Sequence, residues 1–245
     1  ANVKVNERKN LPEKVLQFGE GNFLRGFVDW MFHKMNQQGL FNGSVVVVQP
    51  IANGMADMLN KQDCDYTLIL RGIQNGKVVD DREIITSISR CINPYTDFEE
   101  YLKCAENPDL RVIISNTTEA GISYNLNDKF DDAPPSSYPG KLTVFLYRRF
   151  KAFNGDMSKG FIIIPCELID RNGDNLKRIV LQLAQEWNLG SDFINWVEKA
   201  NAFFNSLVDR IVTGYPKDEI EKLTEELGYK DNCLDTAEIF HFWAI

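Results

Sequence analysis

The segment Val15-Leu-Gln-Phe-Gly-Glu-Gly-Asn-Phe-Leu-Arg-Gly26 decides the fold. A short apolar run breaks into two glycines one residue apart and passes into a helical pattern, the order of a nucleotide-binding strand, turn and helix. In such a unit the first glycine permits a tight turn and the second lets the backbone approach a pyrophosphate. The following helix aims free N–H groups and its dipole at the anion. Gly19 and Gly21 fill the two glycine positions. Phe23, Leu24, Phe27, Val28, Met31, Phe32 and Met35 recur at three-and-four spacing, which predicts one continuous helix laid on a sheet. The third glycine of the common fingerprint would fall at Leu24, and a G-x-G turn by itself also suits a tight turn in any α/β protein, so the rest of the chain must decide.

Working outward, apolar runs at 15–18, 45–48, 111–115 and 161–165 alternate with helical patterns, as buried strands of a parallel sheet do. Runs at 66–71 and 78–88 flank Gln74-Asn75-Gly76-Lys77 and predict an antiparallel pair inserted into that plan. The segment 131–140 reads as a loop, with a helix resuming over 141–153. A second amphipathic helix is expected around Ile220, Leu223 and Leu227, a solvated face without chemistry. The fold class is therefore α/β: a Rossmann-like, doubly wound, mostly parallel sheet with an inserted antiparallel hairpin, residues 1–245 forming one dinucleotide-binding domain.

Composition sets limits. The 245 residues are 44% hydrophobic and 25% charged, enough for a full core. The net charge of −8 and the lack of a Lys/Arg cluster disfavour a nucleic-acid partner. No apolar run approaches the roughly 20 residues of a membrane span, and the polar amino end lacks a signal-peptide pattern, so a cytoplasmic location is expected. Cys64, Cys91, Cys104, Cys166 and Cys233 are scattered without C-x-x-C spacing. They predict buried thiols rather than disulfides or a zinc site, and no metal is expected. His33 and His241 read as packed or capping side chains, and Trp30, Trp187, Trp196 and Trp243 as core or partner-facing aromatics.

Ligands of open α/β sheets collect beyond the carboxyl ends of the strands. Three segments stand there. Ser115-Asn-Thr-Thr-Glu-Ala-Gly121 offers Asn116, Thr117, Thr118 and Glu119 to a ribose or nicotinamide, or else caps a helix with Thr117 or Thr118. Cys166-Glu-Leu-Ile-Asp-Arg-Asn-Gly173 brings Glu167 to the rim, with Asn172-Gly173 a turn. Leu207 to Val212 reads as an apolar strand carrying Asp209 and Arg210, which must either pair or face a cleft, because unpaired burial costs several kcal/mol. After the second strand stands Gln49, where an acidic residue ordinarily binds the adenosine ribose.

Together these segments resemble the polyol dehydrogenase family that contains mannitol dehydrogenase, fructuronate reductase and altronate oxidoreductase. Gly19-Glu-Gly-Asn-Phe-Leu-Arg25 looks like the family's G-x-G-x-F-x-R loop, and Asn205-Ser-Leu-Val-Asp-Arg-Ile211 like its N-S-M-V-D-R-I segment. The wider segments at 17–25, 115–122, 165–169 and 208–216 look closest to the tagaturonate reductase branch. The resemblance implies reversible hydride transfer between NAD and a sugar acid, tagaturonate to altronate, in hexuronate breakdown. It implies that Phe18, Gly19, Gly21, Asn22 and Phe23 hold the pyrophosphate and that Gln49 and 116–119 line the rest of the nucleotide. It further implies Asp209 beside nicotinamide and substrate, with Glu167 and Arg210 on the substrate side.

Two departures qualify the likeness. The family's catalytic lysine lies in a K-x-x-x-x-N-x-x-H motif of a helical carboxyl-terminal domain, and no such motif occurs before Ile245. The expectation is a cofactor domain, inactive alone, whose partner is that missing domain, on which Phe240, Phe242 and Trp243 pack. Where mannitol dehydrogenase has an oxyanion-stabilising asparagine, this chain has Leu168, which donates no hydrogen bond. The rivals are fructuronate reductase or another polyol dehydrogenase, and a nucleotide-binding module without catalysis. A Rossmann-like methyltransferase would need an acidic residue where Gln49 stands.

Overall fold

A computed structural model describes residues 3–118 and 120–245. In chain order the elements are β1 (Glu13–Phe18), α1 (Asn22–Arg25), α2 (Val28–Gln37), β2 (Ser44–Val48), α3 (Ala56–Asn60), β3 (Tyr66–Gln74), β4 (Lys77–Ile85), β5 (Ile88–Ile92) and α4 (Phe98–Lys103). There follow β6 (Val112–Ser115), α5 (Tyr138–Ala152), β7 (Ile162–Pro165), α6 (Asn172–Glu186), α7 (Ser191–Ala200), β8 (Ala202–Phe203), β9 (Leu207–Asp209), α8 (Ile220–Leu227), β10 (Asp235–Glu238) and β11 (Phe242–Ala244).

Six strands form one all-parallel sheet in the order β5-β2-β1-β6-β7-β8. The chain leaves β1 for β2 and β5 on one side, then crosses to β6, β7 and β8 on the other. The order reverses between β1 and β6, which opens a crevice beyond their carboxyl ends. Strand alternation sorts the apolar residues between two cores. Leu16, Phe18, Val46, Val48 and Ile113 face α4 to α7, while Val15, Val45, Val47 and Ile114 face α2 and the second sheet.

The inserted hairpin is present. β3 and β4 pair antiparallel through Gln74↔Lys77, and Asn75 and Gly76 adopt φ of 52° and 73°, the positive values of a type I′ turn. β10 joins β3 in parallel, so this second sheet has three strands, and β9 with β11 forms a two-stranded ribbon.

Several boundaries differ from the sequence expectation. The run 78–88 is not one strand: it breaks at Thr86-Ser87, and Ile88–Ile92 becomes an edge strand of the main sheet. The α5 helix starts a turn earlier than Lys141, because Ser137 caps it by accepting from Gly140 N at 3.0 Å and Pro139 suits the first turn. Asn172-Gly173 opens α6 instead of forming a turn, and the strand expected over 207–212 ends at Asp209. The first helix is also cut in two, at Gly26-Phe27. There Tyr66 Oη donates to Arg25 O at 2.6 Å and Arg210 Nη1 to Gly26 O at 2.6 Å, so side chains take carbonyls that a continuous helix would use.

Candidate functional site at the strand-order reversal

The crevice between β1 and β6 is built on one close approach. Gly19 has φ of +122°, and a Cβ there would stand 2.7 Å from Asn116 O, so only glycine fits. Gly19 N donates to Val48 O and Asn116 N to Phe18 O, which ties together the carboxyl ends of β1, β2 and β6. Gly21 differs: its φ is −67° and a Cβ there would meet nothing within 4 Å. The protein itself makes no demand for glycine at 21. The open backbone is what a closely approaching ligand requires, so the loop fits the pyrophosphate of a dinucleotide.

The loop is braced from below. Arg25 is fully buried; its Nε donates to Glu20 O, Nη1 to Cys233 O and Nη2 to Asn22 Oδ1. Gln17 Nε2 bonds Gly19 O at 3.0 Å and Asp29 Oδ2 at 2.9 Å. Asp29 and Asp235 are buried beside this arginine, and Asp29 Oδ1 and Asp235 Oδ2 have no partner among the described residues. Burial pushes each carboxyl up to about 7, against the pull of the Arg25 charge. Sequence reasoning gave these residues no part. The one available signal was Asp29, a carboxylate set among the apolar residues of the helical pattern.

A cavity of about 340 Å³ lies beyond the strand ends. Its lining includes Phe23, Asn116, Thr118, Glu167, Leu168, Asp209 and Arg210, so seven residues singled out from sequence converge there. Their roles separate. Asp209 is exposed, whereas Arg210 is buried, with its guanidinium on the carbonyls of Gly26 and Glu238 and 4.4 Å from the Trp30 ring. Burial lowers Arg210 to about 10. Glu167 is buried and clamps the loop after β6, accepting from Ser115 Oγ, Thr117 N and Thr117 Oγ1 at 3.0 to 3.1 Å. Burial pushes its carboxyl up and these donors oppose the shift. Asn172 reinforces the same corner, donating to the carbonyls of Pro165, Glu167 and Ser206.

The remaining predicted residues lie elsewhere or act through backbone. The Phe18 side chain is fully buried against Tyr101 and Tyr138, so only its main chain borders the loop. Asn22 turns its amide toward Arg25 and Gly214. The Gln49 carboxamide is spent on its own loop, accepting from Ala56 N and donating to Ile51 O and Ala52 O. Thr117 and Thr118 cap no helix, since no helix begins there among the described residues; Thr118 has φ of +80°. The reading of Glu119 lies outside the described residues.

Lys141 is the buried lysine whose pKa burial lowers to about 8. Its Nζ donates to Ser136 O at 2.7 Å, and it is absent from the crevice lining. His33 is packed against Glu83, and all five cysteines are free and buried. Among the described residues there is no cluster of His, Cys, Asp or Glu able to hold a metal, and no helix long and apolar enough to cross a membrane.

Strand order and glycine loop define a Rossmann-type nucleotide fold. The family profile described as "Mannitol dehydrogenase Rossmann domain" matches residues 13–245, and the chain belongs to that family. A curated altronate oxidoreductase of Phocaeicola vulgatus is 54% identical over 244 residues, covering 100% of this chain and 51% of the relative. One from Escherichia coli is 55% identical over 235 residues, covering 96% of this chain and 49% of the relative. The chain thus spans about half the length of these relatives. The same fold occurs in a substrate-free D-sorbitol dehydrogenase (TM-score 0.82, 23% identity, 99% of this chain and 52% of that one). It occurs again in Pseudomonas fluorescens mannitol 2-dehydrogenase in a ternary complex with NAD and D-mannitol (TM-score 0.84, 20% identity, 98% and 51%).

Proposed function

We propose that this chain is the cofactor domain of an NAD-dependent dehydrogenase that interconverts a sugar acid and its keto form, tagaturonate and altronate by likeness to the relatives named altronate oxidoreductase. The observation that carries the reading is the glycine loop at the strand-order reversal. Gly19 is forced by Asn116 O, while Gly21 is left open with no internal demand for glycine. The loop backbone at 19–23 would hold the pyrophosphate, and Asn116 to Thr118 would line the nicotinamide side. When bound, the nicotinamide supplies or accepts the hydride.

The chain's own part is to bind and orient. Glu167 and Asn172 fix the rim, Arg210 seals the end of α1, and the exposed Asp209 carboxylate faces the cavity where a hydroxyl or carbonyl would lie. The lysine base implied by the resemblance would come from the further half that the longer relatives possess, acting as proton carrier during hydride transfer. Leu168, Leu207, Ile211 and Ile245, each more than half exposed, would be covered by that half.

The test is a fluorescence titration of this chain with NADH and with NADPH, followed by turnover of tagaturonate and fructuronate by this chain and by the full-length protein. Saturable NADH binding, with activity confined to the full-length protein, is expected. Turnover by residues 1–245 alone would refute the division of labour, and binding of neither cofactor by either protein would refute the nucleotide reading.

A further inference from the structure

The residue between the two glycines reaches sideways. Glu20 is 7% exposed, and its Oε1 accepts from Met55 N at 3.1 Å, in the loop that follows β2. A Cβ added at Gly54 would collide with Glu20 Oε1 and would stand 2.5 Å from Gln49 Cδ. Glu20, Gln49 and Gly54 therefore crowd one spot at the carboxyl end of β2. In this strand order, that spot ordinarily carries the acidic residue that hydrogen-bonds the adenosine ribose. Gln49 stands there by sequence, but its amide is fully engaged within its own loop. Glu20 Oε2 accepts no hydrogen bond from another residue among the described residues, and the segment Gln49-Pro-Ile-Ala-Asn-Gly-Met55 contains no lysine or arginine to hold a phosphate. Burial pushes the Glu20 carboxyl above its ordinary range, and its own backbone amide, the Met55 amide and the Arg25 charge pull it back.

We propose that Glu20 is the residue that selects the cofactor: its carboxylate accepts from the adenosine ribose hydroxyls and repels a 2′-phosphate. The acidic ribose contact is thereby moved from the end of β2 into the glycine loop. This inference rests on the nucleotide reading above. Glu20→Gln keeps the side-chain shape and an oxygen for Met55 N but removes the charge; Glu20→Asp keeps the charge. The measurement is the dissociation constant for NADH and for NADPH, by fluorescence titration of the full-length protein and both variants, with melting temperatures alongside.

The expected result is that Glu20→Gln narrows the preference for NADH over NADPH by about tenfold or more, because a like-charge contact is lost. Glu20→Asp keeps most of the preference. Equal discrimination by the parent and Glu20→Gln overturns the proposal, as does an equal loss in both variants, which would make the effect one of loop shape. A parent that binds neither cofactor removes the nucleotide reading and the Glu20 role with it, and this outcome is distinguishable from a parent that binds NADH with a preference indifferent to residue 20.

Discussion

Replacing Arg25 by methionine removes the cation that acts on both Asp29 and Asp235 while keeping a side chain of similar length. Three acceptors lose their donor: Glu20 O, Cys233 O and Asn22 Oδ1. Breaking a buried charged group away from its partners costs about 3–5 kcal/mol. For a chain of this size, that corresponds to a fall of about 6–20 °C in melting temperature. The loss must also depend on pH. Both carboxyls rise from 3.8 to about 7, roughly three pH units, equivalent to a penalty on the order of 4 kcal/mol for ionising each. An acid whose folded pKa is raised binds its proton more tightly when folded, so stability falls as pH climbs from about 4 to about 7. Without Arg25 both values move higher still, and the fall continues beyond pH 7. Thermal melts of parent and Arg25→Met at pH 5.5 and pH 8.5 measure this. At pH 5.5 the difference reduces to the unmet acceptors, about 2 kcal/mol, and at pH 8.5 it widens. An equal difference at both pH values, or a total below about 1 kcal/mol, would refute the account of the buried cluster.

Other substitutions separate stability from binding. Gly19→Ala introduces a strained positive φ and a contact with Asn116 O, and should lower the melting temperature by several degrees while weakening NADH binding. Gly21→Ala should melt within about 1 °C of the parent yet bind NADH at least about tenfold more weakly, since its Cβ meets only the space a ligand would occupy. Asn172→Ala leaves Ser206 O and Ser206 N without their partner, while Pro165 O keeps Ser206 Oγ and Glu167 O keeps Ile169 N, and should cost about 2–3 kcal/mol, read by denaturant unfolding. The five thiols should resist a thiol reagent at pH 8 until denaturant is added. Burial pushes Cys64 and Cys104 up to about 12 and Cys233 up to about 11, so even Cys233 is thiolate only about one part in a thousand. Prompt stoichiometric labelling of the native chain would contradict this.

What could be read from sequence follows from how locally each feature is determined. Strands buried on both faces read as continuous apolar runs, so β1, β2, β6 and β7 were legible, and Asn75-Gly76 announced the hairpin. The edge strand β5 was not. Ile88-Ser-Arg-Cys-Ile92 carries Arg90, whose guanidinium is bound by Glu13 and Glu100 from neighbouring elements, and no local pattern separates it from β4. The helix break at Gly26-Phe27 depends on Tyr66 and Arg210, which lie 41 and 184 residues away from the carbonyls they take. At the site, chemistry was legible by residue type, but orientation was not. Nothing in the sequence says that the Gln49 amide turns inward or that Glu167 spends its oxygens on the loop after β6.

The two family segments also prove to be one construction. Asn205-Ser-Leu-Val-Asp-Arg-Ile211 places Asp209 at the end of β9 and Arg210 one residue on, and adjacent extended residues point to opposite sides. Asp209 therefore faces solvent and the cavity, while Arg210 turns inward and reaches Gly26, the residue that follows Arg25 in the first motif. Arg25 holds Glu20 O and Asn22 Oδ1 within the glycine loop, and Arg210 fixes the point where α1 ends. Each motif thus contributes a buried arginine to the scaffold beside a group left free for chemistry: open backbone at Gly21 in the first, a carboxylate at Asp209 in the second. An arginine in such a motif invites a reading as an anion contact. Here both are consumed by internal acceptors, backbone carbonyls and the Asn22 amide oxygen, so the positive charge available to a dinucleotide phosphate must come chiefly from the oriented amides of the loop.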